Sequence, residues 1–221
     1  MTADRGSDAP FQRGVRMIGV GSAVPPRILT NRELESLMDT SDDWIVKRTG
    51  IHERHVVDTE RGEGTLSLST EAIQHALEDA GMTGRDLDLL IVATVTAELT
   101  CPSTACRVAE AIGLCTSGSF DLVAACSGFV YALNVADTLI RSGRHQAIGI
   151  VGCDTMSTVV DYEDRSVSIL FGDAAGAAVL TADPDPDRGC LYQTMRSDGG
   201  MWRTLYLPVH DRDILDDDRD N

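Results

Sequence analysis

The chain has 221 residues, 43% of them hydrophobic and only 5% aromatic, and a formal net charge of −16. That length suffices for one sizeable core, in one or at most two domains, built from Ala, Val, Ile and Leu rather than rings. The acidity excludes general nucleic-acid binding, since nothing would neutralise many phosphates, and reads as a solvated surface that aids solubility.

The opening "MTADRGSDAPFQRG" is polar and lacks the apolar stretch of a signal peptide. No run approaches the ~18 apolar residues of a membrane span. Six cysteines (101, 106, 115, 126, 153 and 190) without an export signal read as thiols in a reducing cytoplasm. They form no Cys-x-x-Cys pair and the five histidines add no ligand spacing, so no metal is expected.

In chain order, "VRMIGVGSAVPP" (15–26) predicts a strand ending in a Gly/Pro turn. Thr30, three residues before Glu33, is a capping-box pattern for a short helix. "SDDWIVKRTG" repeats the device, with Ser41 as cap, Lys47 and Arg48 in the last turn and Gly50 as stop. Residues 57–64 read as a polar loop. Ala72, Ile73, Ala76, Leu77 and Ala80 recur at helical spacing over 66–80 and end at Gly81. "LDLLIVATV" predicts a fully apolar strand, and a helix follows from near Pro102 to Gly113. "GSFDLVAA" predicts another buried strand and Ser127–Ser142 another helix, apolar on most sides and therefore expected at the centre of the fold. "QAIGIVGC", "SVSILFGDAAGAAVLTA" and, after the acidic "DPDPDRG" connection, "CLYQTMR" predict further strands. Helices alternating with apolar strands imply an α/β fold with a mostly parallel sheet covered on both faces. The chain ends in "RDILDDDRDN" with no closing element, which reads as unfinished.

Cys126 lies where the apolar strand "SFDLVAAC" gives way to that helix. Free cysteine often serves as a small buried hydrophobe, and that reading stands. Three local features favour a nucleophile instead. A strand-turn-helix elbow presents a side chain at the end of a sheet. A helix N-terminus favours a thiolate. Gly128 removes a side chain where a substrate carbonyl could approach. The other five cysteines lack this combination and read as structural.

"TSDDWIVKRTGIHERH", "CPSTAC", "DLVAACSGFVYALNVAD" and "ILFGDAAGAAVL", in this order and spacing, resemble β-ketoacyl-acyl-carrier-protein synthase III of the thiolase-like superfamily, from about Val15 to Pro208. The resemblance implies a layered αβαβα fold of two similar halves. Residues 1–14 would be a polar tail, 15–184 the half carrying the nucleophile, and 185–221 the start of the second half, so the chain would be a fragment or a truncated paralogue. It implies that Cys126 accepts an acyl group from acyl-CoA and yields it to the carbanion of a decarboxylating malonyl-acyl-carrier protein. No cofactor is implied beyond acyl-CoA as substrate. A cytoplasmic homodimer is.

Lys47, Arg48, His52, Arg54 and His55 form a basic cluster against the acidic background, suited to a phosphate-bearing ligand, although helix C-terminal charge alone could explain Lys47 and Arg48. Trp44 and Arg48, one turn apart, share a helix face. By the resemblance both bind coenzyme A, and Arg165 packs on the adenine from the other side. Phe171 would stand beside the nucleophile and Leu205 would line the acyl pocket. Cys101 occupies the place of a bulky Phe that crosses the dimer interface in acetyl-preferring relatives, which implies room for longer or branched acyl groups. Ala174 replaces a usual glycine, and would be strained if that position needs a positive φ. The histidine and asparagine that would stabilise the malonyl enolate have no counterpart here. A same-fold acyltransferase of secondary metabolism and a non-catalytic partner subunit therefore stay open beside the synthase, and the isolated chain is expected to be poorly soluble or partner-dependent through an exposed apolar face.

Overall fold

The computed structural model describes residues 13–114 and 116–208. Its centre is a five-stranded sheet in the order β1-β7-β6-β4-β5: β1 (Gly14–Ala23), β4 (Leu89–Ala93), β5 (Gly118–Leu122), β6 (Ala147–Thr155) and β7 (Asp173–Asp183). β4 pairs in parallel with both β5 and β6, whereas β7 runs antiparallel to both β6 and β1. The sheet is therefore mixed rather than mostly parallel. The cause is the connection over 156–172, which turns back through a short 3-10 turn and loop instead of a crossover helix.

Strand β4 shows why the sequence reads as continuously apolar. Leu90 and Val92 face the cluster under α3 (Thr65–Ala80) and α4 (Thr104–Ala111), while Leu89, Ile91 and Ala93 face the one under α5 (Gly128–Arg141). Helix α3 lies so close to β1 that a Cβ on Gly19 or Gly21 would sit 2.2 Å from a carbonyl oxygen of the helix, Ala76 O or Ala72 O. A smaller layer joins the hairpin β2 (Ile28–Thr30) and β3 (Glu53–His55) to α1 (Asn31–Leu34) and α2 (Asp42–Thr49) over Leu29, Leu34, Ile45, Val56 and Ile169.

The local signals form as expected. Thr30 and Glu33 make the reciprocal capping box, Ser41 caps α2, and Gly50 and Gly81 close α2 and α3 in left-handed conformations. Further expectations fail, and the strand expected from Ser166 begins only at Asp173. β5 is not buried: it is the outer strand, paired on one side only, and Phe120 is 39% exposed. α5 is buried along one face only, with Val130 53% exposed on the other, because the sheet covers just the side that meets it. Residues 190–196 form no strand. They run extended along α5 and are tied to its side chains, through Tyr131 Oη to Arg196 O (2.8 Å) and Gln193 Nε2 to Asp137 Oδ2 (2.6 Å). Most of the 1–14 tail, and His210 with the acidic end, lie outside the described residues.

Candidate active site

Parallel strands β4 and β5 end side by side, and the chain leaves β5 into a 3-10 turn over Ala125–Ser127 that opens directly into α5. Ala125 holds φ 43°, the left-handed region that costs a residue with a Cβ about 1 kcal/mol or more. It is the one non-glycine residue with positive φ among those described. The next residue is Cys126, and its side chain is exposed. Ser127, at the N-cap of α5, makes no side-chain cap bond, so no local hydroxyl closes the helix end beside the thiol. Gly128 is needed for a different reason than substrate approach: a Cβ there would lie 3.0 Å from Ala93 Cβ, so the glycine seats α5 on the end of β4.

The end of the sheet at which β4 and β5 finish is also where β6 finishes and β7 begins. β7 starts opposite the end of β6, Asp173 facing Thr155, and half-buried Phe171 stands two residues ahead of it. Cys101 is exposed in the loop leaving β4. Leu205 is 74% exposed and Cys126 itself is open, so the described residues do not enclose a pocket around the thiol. Ala174 sits in β7 paired with Asp154, outside the left-handed region, and carries no strain.

The loop after β4 is held by carboxylates. Asp154 Oδ1 accepts from Val95 N (2.8 Å) and Thr94 Oγ1 (3.1 Å). Glu98 accepts from Leu66 N (2.8 Å) and pairs with Arg107 (3.0 Å). Asp121, on β5, accepts from Thr104 N and Ala105 N, both at 2.7 Å, at the start of α4.

A second constellation lies on α2. The Arg48 guanidinium is 4.5 Å from the Trp44 ring centroid, and that of Arg165, 117 residues further along, is 5.1 Å from it. Arg165 is also bonded to Asp39 O (2.7 Å). A flat ring between Trp44 and Arg165 would need ~3.5–4 Å on each side, more than the 5.1 Å that separates them. Thr40 Oγ1, beside this cluster in sequence, is shielded from water and has no partner.

The basic cluster is smaller than its sequence suggests. Arg54 is buried and bonds Leu29 O (3.3 Å), Asn31 Oδ1 (2.9 Å) and Ile169 O (2.9 Å), joining the hairpin to the loop before Phe171; burial lowers its pKa. His55 Nδ1 is 2.5 Å from Pro25 O. Lys47, Arg48 and His52 stay exposed. Of the other thiols, Cys153 is buried, points at Thr65 O, and is pushed up to about 12 by burial. Cys106 and Cys190 are exposed rather than core residues, and Cys115 lies outside the described residues. Among the described residues no group of three His, Cys, Asp or Glu side chains could hold a metal ion.

Residues 120–199, which span the thiol turn, α5 and β7, match the family model of 3-oxoacyl-[acyl-carrier-protein (ACP)] synthase III. The chain is 46% identical over 196 residues to the β-ketoacyl-[acyl-carrier-protein] synthase III of Paramagnetospirillum magneticum, covering 87% of this chain and 60% of that protein. Its fold matches the crystal structure of 3-oxoacyl-[acyl-carrier-protein] synthase III from Aquifex aeolicus with a TM-score of 0.74 and 44% identity, over 76% of this chain and 54% of that one. Over the residues it shares with them, the chain is similar to β-ketoacyl-[acyl-carrier-protein] synthase III proteins. It spans about three fifths of the length of these synthase III relatives. The priming β-ketosynthase of the R1128 polyketide pathway also matches, with a TM-score of 0.76 at 37% identity over 82% of this chain and 54% of that one.

Sequence reasoning passed over Thr40 and the three carboxylates that hold the loop after β4. Asp121 and Asp154 each interrupt an otherwise apolar strand. A charge there must find partners, and that was the available signal.

Proposed function

We propose that the chain carries the acyl-loading site of a β-ketoacyl-acyl-carrier-protein synthase III. The observation that carries this reading is the exposed Cys126 on a strained turn at the start of an uncapped helix, in the same chain as a Trp44–Arg48–Arg165 cluster suited to an adenine nucleotide. In the first half-reaction the Cys126 sulfur attacks the carbonyl carbon of acyl-CoA. A new S–C bond forms, the bond to the CoA sulfur breaks, and CoA leaves as a thiol carrying the proton lost by Cys126. Trp44 would stack on the adenine, Arg48 would pair with phosphate, and Arg165 would leave Asp39 to close over the base. Phe171, Leu205 and Cys101 would shape the acyl environment, with a homodimer completing it in the cytoplasm. The small Cys101 favours acyl groups longer than acetyl.

The second half-reaction joins the acyl group to malonyl-acyl-carrier protein with loss of CO2, and needs donors at the malonyl thioester oxygen. Among the described residues, Asn31, Asn134, His55 and His75 are bonded elsewhere, to Asp42, Thr194, Pro25 and Ser22. The residues described above support the loading step. A same-fold acyltransferase of secondary metabolism is the second reading, favoured by the match to the polyketide priming enzyme.

Incubation with labelled octanoyl-CoA should give a hydroxylamine-sensitive adduct that disappears in Cys126→Ala. No adduct on the intact chain would point to a non-catalytic partner. Turnover with malonyl-acyl-carrier protein separates the synthase from the transferase, and strict preference for acetyl-CoA would remove the role assigned to Cys101.

A further inference from the structure

Strand β6 carries two glycines, Gly149 and Gly152, in its interior, where a missing side chain weakens a strand and calls for a reason. They face opposite ways. A Cβ on Gly149 would meet only the Cδ1 ends of Leu87, Ile73 and Leu90, at 3.0 to 3.2 Å, and flexible ends can give. Gly152 follows Ile148 and Ile150 along the face under α5. A Cβ there would lie 3.1 Å from Phe129 Cδ2 and 3.2 Å from Phe129 Cβ. Turning the ring relieves the first contact but not the second, because Cβ is fixed to the helix backbone. An added methyl group would therefore displace the start of α5 by a few tenths of an ångström. Gly176, paired with Gly152 on β7, has open space where its Cβ would stand, so the constraint belongs to Gly152 and not to the whole row.

Cys126 stands three residues before Phe129. On its other side the chain is held at Leu122, which pairs with Ala93 of β4 and accepts from Thr94 N (3.2 Å). The thiol turn runs between these two fixed points, with Ala125 already at φ 43°. A shift of the helix start falls on that turn, whose strained residue has little room to absorb it. We propose that Gly152 is a positioning residue for the loading thiol: bare backbone on the α5 face of β6 lets Phe129 seat on the sheet, and this contact, with that of Gly128 on Ala93, sets where Cys126 stands. The proposal rests on the loading-site reading above.

The test follows loading of Cys126 from octanoyl-CoA by intact mass in the full chain. It uses a double-mutant cycle over Gly152→Ala and Phe129→Ala, with Gly149→Ala and Gly176→Ala as controls. Because a misplacement of ~1 Å can cost ~100-fold in rate, Gly152→Ala should lower the maximal loading rate by roughly three- to tenfold. The half-saturating octanoyl-CoA concentration should stay within about twofold, since Trp44 and Arg48 are untouched. Phe129→Ala, which frees the same contact from the helix side, should lower the maximal rate by roughly threefold or more. In that background Gly152→Ala should cost less than about twofold, even though the double variant is the least stable in urea. Both controls should load at the wild-type rate, whatever they cost in stability. A folded Gly152→Ala that loads no more slowly than Gly149→Ala would overturn the proposal, and so would an equal cost of Gly152→Ala with and without Phe129→Ala. Should Gly152→Ala not fold alone, Phe129→Ala decides, and a maximal rate within about twofold of wild type overturns the proposal. If the wild-type chain takes no acyl group, the loading-site reading itself fails and the role of Gly152 falls with it. Failure of the proposal alone is a wild-type chain that loads and variants that load alike.

Discussion

Cys126 and Cys153 are chemically identical, and their surroundings decide what each can do. Cys153 is enclosed by the sheet and α3, with burial driving its pKa to about 12. Cys126 is open at a turn. In the native chain at pH 8, iodoacetamide should modify Cys126 at least ten times faster than Cys153, with the gap closing in urea, as read by peptide mass spectrometry. The sign of the linkage follows from the raised value. An ordinary thiol ionises near ~8.5, so the stability contributed by keeping Cys153 neutral is complete below that pH and is lost as pH rises toward and through about 12. Urea midpoints between pH 7 and 10.5 should fall in the wild type and fall less in Cys153→Ala. Ala125 gives a backbone prediction. Since it holds φ 43°, Ala125→Gly should leave stability within about 0.5 kcal/mol, the relieved strain offsetting the added unfolded-state freedom, whereas Ala125→Val should cost about 1–3 kcal/mol by the same denaturation measurement. The thiol turn was legible at this scale because strand, cysteine and helix are adjacent in sequence. The reason for Gly128 was not, because the atom it avoids belongs to Ala93 on another strand.

At the scale of elements, what the chain announces locally appears where expected: the capping box of α1, the Ser41 cap and Gly50 stop of α2, the apolar stripe of α3. Sheet order is not local, and there the reading failed. "GSFDLVAA" is as apolar as a central strand, yet β5 is an outer one, and β7 returns antiparallel to β6 in a sheet expected to be mostly parallel. Trp44, Arg48 and Arg165 show both sides of this. The first two share a helix face and could be paired from spacing alone, whereas Arg165 joins them from a distant loop and was placed by resemblance. In a Trp202→Phe background, coenzyme A should change the fluorescence of Trp44, and Arg48→Ala should weaken that titration by about 5- to 30-fold, or 1–2 kcal/mol. Arg54 sits in the same sequence cluster with a different task. Arg54→Met should cost about 2–4 kcal/mol in thermal or urea unfolding, because Asn31 and two carbonyls lose a buried donor, with little direct effect on coenzyme A binding.

For the whole molecule, the uncovered face of α5 and the edge at β5 leave Phe120, Val123 and Val130 open to solvent, Val123 at 77%. An apolar surface of that kind favours association. Sedimentation of the isolated chain should show concentration-dependent self-association that Val123→Asp with Val130→Lys reduces; a monodisperse monomer at all concentrations would contradict this. The sequence predicted such a face only through the resemblance, since an α5 apolar on most sides looks the same whether it is covered by this chain or by something else. One comparison tests the exposed thiol and the proposed nucleotide-binding role of Trp44 together. Intact-mass kinetics should show octanoyl-CoA loading Cys126 on the order of tenfold faster than the same concentration of octanoyl-N-acetylcysteamine, a thioester without the nucleotide, with Trp44→Ala removing most of that advantage. Equal rates for the two thioesters, or an adduct on any residue other than Cys126, would contradict the account.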